Sequence, residues 1–515
     1  MELLKIEPES WREDYQQFVE ATEKFYNKEL DVKAYKGISG GFGSYAQRGA
    51  QSSMLRLRMP GGVMTKEQLK FVADSIRRWK INKAHFTTCQ TLQLHNLNKE
   101  AVCTLAEDAL SVGIVTRGGG GDFPRNVTCS PLSGVEQGEY FDVLPWAKAA
   151  SDYLMGLIRG PKLPRKLKVG FTNTRKNITH ASYRDLGFVA REDGKFDVYS
   201  AGGLGGNPRF GVKVAEAVNP DQILYYVQTM HELFCAHGNY ENRAKARSRY
   251  MQETLGGPEA YKEAFLARLQ EVMDRGDLTV QAEAAVVTKQ GEAYDGSDPR
   301  VIPQKQEGLY SVFCHPIGGN PATELFETLY QTIRDMEAVE LRISPDESFY
   351  VINCTGPEAK RVLEVTAEGA ATRFEESVAC IGASICQQGV RDSQALLRNL
   401  IRMEQEEGFA DGVLPQIYIS GCPSSCGTHQ TGIMGFRGGV KVVDKTPLPA
   451  FNLYVKGKAE VGSETMGTDL GSIPEDKIPE FMRALGRKVA ESGMDFEGWL
   501  KENPDGIEET FREFI

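Results

Sequence analysis

Nothing in this sequence approaches the run of about twenty apolar residues that crosses a bilayer as a helix, so no membrane span is expected. Positive charge is not in excess either. Lys and Arg total 60 against 70 Asp and Glu, a formal charge of -10, the reverse of what a nucleic-acid binder carries. The opening residues, Met1 to Ser10, are acidic and have neither the apolar core of a signal peptide nor the Arg/Ser bias of a transit peptide. The expectation is a cytoplasmic protein whose thiols stay reduced, so that its 10 cysteines serve metals or packing rather than disulfides. Nucleotide fingerprints are missing too. Ala201-Gly-Gly-Leu-Gly-Gly-Asn207 looks like a phosphate loop, but it has no Lys-Ser/Thr ending and no strand–helix context with a downstream acid.

What is present is concentrated in four cysteines. Cys380 and Cys386 read C-x5-C, and about 35 residues later Cys422 and Cys426 read C-x3-C. Four thiolates are what an iron–sulfur cluster takes from a protein, and a structural zinc would take the same set. The flanking residues are small, which lets the backbone approach a cofactor, and Gly or Pro fixes the turn that aims each sulfur. Cys103, Cys235, Cys314 and Cys354 read instead as small buried hydrophobes.

The two halves look like copies, with corresponding points about 250 residues apart. Met59-Pro-Gly-Gly62 opens a helix with Leu69, Val72, Ala73 and Ile76 on one face, and Thr65 and Gln68 make a capping box at its start. In the second half His315-Pro-Ile-Gly-Gly319 leads to Asn320-Pro321, an N-cap followed by proline at the first helical position, and then to Leu325, Leu329 and Ile333. Each helix precedes a strand-like stretch, Phe86 to His95 and Val339 to Cys354. Arg125-Asn-Val-Thr-Cys129 then answers the Cys380/Cys386 loop, and Leu163 to Gly170 answers Leu414 to Gly421. The expected division is an N-terminal helical extension (1–45), a strand–helix–strand unit (46–115), a larger α/β unit (116–300), and a second pair (301–370 and 371–515) that ends in a helix after residue 473.

Lys162 to Lys176 holds six basic residues and no acid, a local reversal of field in an acidic chain. On a strand Lys166 and Lys168 project one way and Leu167 and Val169 the other. Arg56 and Arg58 alternate in the same manner with Leu55, Leu57 and Met59. Either strand alone reads as an ordinary half-exposed one. Two of them, with Arg125, at matching positions of a duplicated chain read as an anion pocket: arginine offers a fixed fork, lysine a movable charge and a proton.

At these residues the chain resembles the sirohaem- and iron–sulfur-containing sulfite and nitrite reductases, from about Ser44 to Trp499. The segments that carry the resemblance are Met54 to Gly62, Thr87 to His95, Arg125 to Cys129, Leu163 to Lys168, Ala201 to Pro208 and the four cysteines. The resemblance implies a pseudo-twofold α+β fold with two ferredoxin-like half-domains and two mixed α/β sirohaem/Fe–S domains. It implies a [4Fe–4S] cluster on Cys380, Cys386, Cys422 and Cys426, with Cys426 bridging to the sirohaem iron. Arg56, Arg125, Lys166 and Lys168 would bind the substrate anion and relay protons. Arg58, His85, Cys89, Gln93, His95, Gly203, Asn207, Arg247 and Arg249 would face the macrocycle, with Cys89, Gln93 and His95 expected on one strand face.

The same likeness implies six-electron reduction of sulfite to sulfide, or of nitrite to ammonia. Lys168 favours sulfite, because the family's plant-type nitrite reductases tend to have Asn there and a dianion justifies the extra charge. Three positions depart from the family: Cys89 stands where arginine is usual, His85 where another basic or polar residue is frequent, and Ser424 where Asn is common. Cys89 reads as a packing cysteine or as a reactive thiol beside the cofactor. With no flavin or nicotinamide fingerprint and no further ferredoxin-type cysteine run, electrons are expected from a separate donor, a ferredoxin or a flavoprotein. A non-catalytic zinc or cluster protein is the alternative of a different class.

Overall fold

A computed structural model describes residues 7–515. The chain packs as two compact units. The first comprises residues up to Gly203, Pro208–Cys314 and Pro321–Ala367; the second comprises Leu204–Asn207, His315–Asn320 and Glu368–Ile515. No helix among the described residues is long and apolar enough to cross a membrane.

In the first unit the strands Ser44–Ala46, Ser53–Arg58, Thr91–Leu97 and Ala84–Phe86 form an antiparallel sheet in that order. Its counterpart runs Val301–Pro303, Tyr310–Cys314, Phe349–Cys354 and Glu340–Ile343, and it gains a fifth strand, Val63–Met64, from the first half. The two half-domains therefore share one sheet and one core. Phe86 lies 6.0 Å from Phe326 and 5.5 Å from Phe349, ring centre to ring centre. The helix Lys66–Trp79 begins with the anticipated capping box: the Thr65 hydroxyl accepts from Gln68 N at 3.2 Å, and Gln68 Oε1 accepts from Thr65 N at 3.1 Å. Two N-terminal helices, Asp14–Tyr26 and Val32–Ser39, pack on this core, and the buried Tyr15 hydroxyl lies 2.9 Å from Thr116 Oγ1.

A third sheet of the first unit runs Val212–Val218, Phe196–Ser200, Leu186–Ala190, Val169–Thr172, Thr128–Cys129. Its last three strands are parallel and its first two antiparallel. The second unit repeats this topology with Val378–Ala379, Tyr418–Ser420, Met434–Val443, Thr446–Val455 and Thr468–Pro474. Two sheets of identical and unusual strand order make the duplication a fact of topology. The terminal helix Ile478–Ser492 buries Ile478, Phe481, Met482, Leu485 and Val489, as its period requires.

Three local expectations need correction. Phe86–His95 and Val339–Cys354 are hairpins rather than single strands, because residues 87–90 and 344–348 turn the chain back. Asn320 is no N-cap. The helix begins at Glu324 after Thr323, and the Asn320 amide donates to Gly318 O and Gln394 Oε1, each at 2.8 Å.

Candidate active site

Strand pairing sets the first row of polar groups. Arg56 stands opposite Gln93, which stands opposite His85. With its amide oxygen toward Arg56, Gln93 accepts from Arg56 Nε (3.2 Å) and Nη2 (2.6 Å), and its nitrogen donates to His95 Nε2 (3.1 Å). His95 Nδ1 in turn donates to Gln47 Oε1 at 3.3 Å. Burial, helped by His85, Lys83 and Arg56, holds His95 well below its usual pKa, so it is neutral.

A glycine-rich loop, Gly118–Gly121, brings the second arginine in. Arg56 Nη1 and Arg125 Nη1 both donate to Gly119 O, at 2.6 and 2.8 Å, so the two guanidinium groups converge on one carbonyl. Only glycine fits there: a Cβ on Gly120 would stand 2.4 Å from Gly40 O. Arg58 is spent on this loop. It is 3% exposed and donates to the carbonyls of Arg117 (2.8 Å), Pro124 (3.3 Å) and Arg125 (3.2 Å), which positions Arg125. Burial pushes Arg125 down to about 10, with Arg56 adding to the effect. The Tyr45 hydroxyl is pulled below its usual value despite burial, by Arg125 and Arg56.

The lysines lie on the neighbouring segment. Arg125 N donates to Leu167 O at 2.8 Å and Leu167 N to Phe123 O at 3.2 Å, so residues 123–125 and 167 run side by side. Leu167 is buried, and Lys166 and Lys168 are half-exposed on either side of it, the alternation expected of a strand. Lys168 is fixed from behind by Asp185, a fully buried carboxylate that accepts from Lys168 N (2.8 Å) and Arg247 Nη2 (3.0 and 3.1 Å). It also accepts from Ser248 Oγ. No pattern in the sequence marks Asp185.

Cys89 is not on a strand, so alternation does not place it with Gln93 and His95. It sits in the turn before Thr91–Leu97, pinned by Asn126 Nδ2 to Cys89 O (2.9 Å). The next residue, the fully buried Gln90, donates to Cys129 O (2.8 Å) and Ile343 O (2.7 Å). Burial raises the Cys89 thiol, but Lys168 and Arg184, with a Lys168 hydrogen bond and Arg56, outweigh it and bring the thiol down to about 6. Arg184 was not legible as a site residue. It is 8% exposed, donates Nε to Thr179 O at 2.8 Å, and leaves Nη2 with no partner among the described residues.

Of the remaining expected cofactor contacts, His85 is buried beside Glu347, its Nε2 3.7 Å from Glu347 Oε1. Gly203 rides over Arg247 and Arg249: a Cβ there would lie 3.5 Å from Arg249 Nη1 and 3.8 Å from Arg247 Nη2. Asn207 belongs to the second unit, where Gln430 Nε2 donates to Gly205 O at 2.9 Å.

The four cysteines are all in the second unit and all free of disulfides. Cys380 and Cys422 directly follow the parallel strands Val378–Ala379 and Tyr418–Ser420. The Gly421 N–H donates to Cys380 Sγ at 3.2 Å, and Ser393 Oγ lies 3.2 Å from the same sulfur. Burial and then Cys426 raise Cys380 to about 12, and burial with Cys426 and Cys422 raises Cys386. A cation placed among these sulfurs would reverse that effect and favour their thiolate forms. Cys426 is exposed, and so is the departing Ser424. Among the described residues no three Cys, His, Asp or Glu side chains converge tightly enough to hold one metal ion. Four sulfurs that each take a separate iron of a cube do not have to, whereas zinc draws all four to about 2.3 Å.

Two sequence profiles match this architecture: the nitrite/sulfite reductase ferredoxin-like half domain over residues 45–112, and the nitrite and sulphite reductase 4Fe-4S domain over residues 120–272. Over both segments the chain is similar to the nitrite and sulfite reductase family. It is 28% identical over 450 residues to the chloroplastic ferredoxin–nitrite reductase of Zea mays, covering 83% of this chain and 77% of that one. It is 26% identical over 518 residues to the sulfite reductase [NADPH] hemoprotein beta-component of Geobacillus kaustophilus, covering 88% and 86%. The solved NirA protein of Mycobacterium tuberculosis superposes with a TM-score of 0.74 at 20% identity over 92% of this chain and 90% of that one, a likeness of fold.

The family's cofactors are a sirohaem and a [4Fe–4S] cluster. The residues present fit both. The cysteine loops supply four reduced thiols with N–H donors aimed at sulfur. For a macrocycle bearing carboxylates, the first unit offers buried guanidinium N–H groups that the protein leaves unpaired, Arg184 Nη2 and Arg247 Nε.

Proposed function

We propose that this oxidoreductase reduces sulfite to sulfide by six electrons, with Arg56, Arg125, Lys166 and Lys168 as its anion-binding and proton-delivering residues. The observation that carries this reading is the convergence of Arg56 and Arg125 on Gly119 O beside the segment that presents Lys166 and Lys168. Bound sirohaem and cluster would relay to the substrate the electrons that a separate donor protein provides. The protein does the rest. The two arginines hold oxyanion oxygens in fixed forks and stabilise charge as each S–O bond breaks. The lysines deliver protons to the departing oxygens. Cys426, the exposed one of the four cysteines, would hold the cluster together with Cys380, Cys386 and Cys422 and is the one we assign to contact the sirohaem as well. Arg247 and Arg249, under the glycine at 203, are assigned to macrocycle carboxylates, and the five-segment division of the chain is retained.

Sulfite rests on the Lys166/Lys168 pair. Nitrite is the second reading, supported by the nitrite reductase name of the Zea mays relative and by the engagement of Lys168 with Cys89. That relative's name also supports a ferredoxin as donor. The test is the visible spectrum of the purified protein, where a sirohaem protein shows a Soret-type band and zinc none. It is followed by kcat/KM for sulfite and nitrite with reduced methyl viologen. A colourless protein refutes the proposal, and a large preference for nitrite replaces the first substrate with the second.

A further inference from the structure

The Cys89 sulfur is surrounded by positive charge from four directions. Lys168 approaches from the segment before Val169–Thr172 and hydrogen-bonds it, and Arg184 acts from the turn before Leu186–Ala190. Arg56 acts from the strand Ser53–Arg58, and Arg125, from the loop after Gly121, feels the sulfur's charge in return. His180, the remaining titratable group beside Lys168 and Arg184, is buried and kept neutral by them. The carboxylate packed behind this cluster is Asp185, which accepts from Lys168 N and Arg247 Nη2. The unpaired N–H of Arg184 shows that the cluster has donor capacity left for a ligand. The turn that carries Cys89 cannot swing away, because Asn126 and Gln90 fasten it on both sides.

We propose that Cys89 is a specificity-determining residue of the anion pocket: as a thiolate held by Lys168 and Arg184, it occupies the positive field that an incoming anion needs and penalises a dianion more than a monoanion. The inference rests on the assignment of this pocket to sulfite or nitrite. Coulomb repulsion doubles when the ligand carries two charges instead of one, and in a half-buried site it is weakly screened. With Cys89 ionised, part of the Lys168 charge is already answered and nitrite gains relative to sulfite. With Cys89 protonated, that handicap vanishes. Protonated sulfite is itself a monoanion, so the comparison of wild type and variant at pH 7.5, where the dianion is present, carries the test.

Two measurements on the holoenzyme test this. In the first, brief iodoacetamide pulses across pH 5–9, read by mass spectrometry of the Cys89 peptide, should show labelling half-maximal at about pH 6. Cys103, raised to about 11 by burial, is the internal contrast that labels only at high pH. Cys89 labelling that still climbs above pH 8, or none at any pH, overturns the proposal. In the second, Cys89→Ser, with Cys89→Ala as a second variant, should raise the sulfite-to-nitrite ratio of kcat/KM about tenfold at pH 7.5 and leave it unchanged at pH 5. An unchanged ratio at both pH values overturns it. If neither anion is reduced, the assigned reaction fails while the labelling curve still decides whether Cys89 is a thiolate.

Discussion

Asp185→Asn is the perturbation that probes the pocket from behind. Asp185 is fully buried and its partner Arg247 is 16% exposed on its side chain, so the pair is shielded from water. Asparagine keeps the size and one acceptor oxygen but removes the charge. Breaking one partner of a buried pair costs about 3–5 kcal/mol, and the retained acceptor puts this variant near 3 kcal/mol. The first unit holds about 350 residues. At about 2.1 cal/mol/K of unfolding entropy per residue, such a loss lowers its Tm by about 4 °C. Lys168 loses its backbone anchor at the same time. Because the anchor sets position and not charge selection, kcat/KM should fall about tenfold for sulfite and nitrite alike. Differential scanning calorimetry and the methyl viologen assay read both effects. A Tm within 1 °C of wild type together with unchanged turnover would refute the claim that Asp185 holds Lys168 in place.

Lys168→Asn should cut sulfite kcat/KM roughly tenfold more than that of nitrite, and equal losses would mean that charge is not what separates the anions. His95 and His180 are held well below 6.5 by burial and nearby cations, so the unfolded chain binds protons that the folded one refuses. Stability is therefore full above about pH 6.5 and falls below it, by at most about 1.4 kcal/mol per pH unit for each histidine. Urea unfolding at pH 7.5 and 5 should show this loss, and the His95→Gln/His180→Gln double variant should lose less. The same pH slope in that variant would remove these histidines as its cause.

How much of this was legible in the chain depended on whether the signal was local. The capping box at Thr65 and Gln68 needs only four consecutive residues, and it is there. The alternation around Leu167 and the cysteine loops are likewise short-range patterns. Asn320 misled because a cap is defined by where the helix axis starts, and Gln394, 74 residues away, claims its amide. Cys89 misled because a strand period was carried through a turn that Gln90 makes in left-handed conformation, φ 53°. Arg58 has the same alternation as Arg56, yet three distant carbonyls take its donors. Arg184 and Asp185 are adjacent residues joined to Lys168 by parallel strand pairing, a contact no periodicity announces.

The two sheets of matching strand order have put different ends of their parallel strands to work. In one copy sulfur ligands follow strand ends at Cys380 and Cys422; in the other, cations precede strand starts at Arg125 and Lys168. On the proposed assignment one copy handles electrons and the other anions and protons. Neither can stand in for its sibling, so damage to either half is expected to silence the whole enzyme rather than leave half of its output.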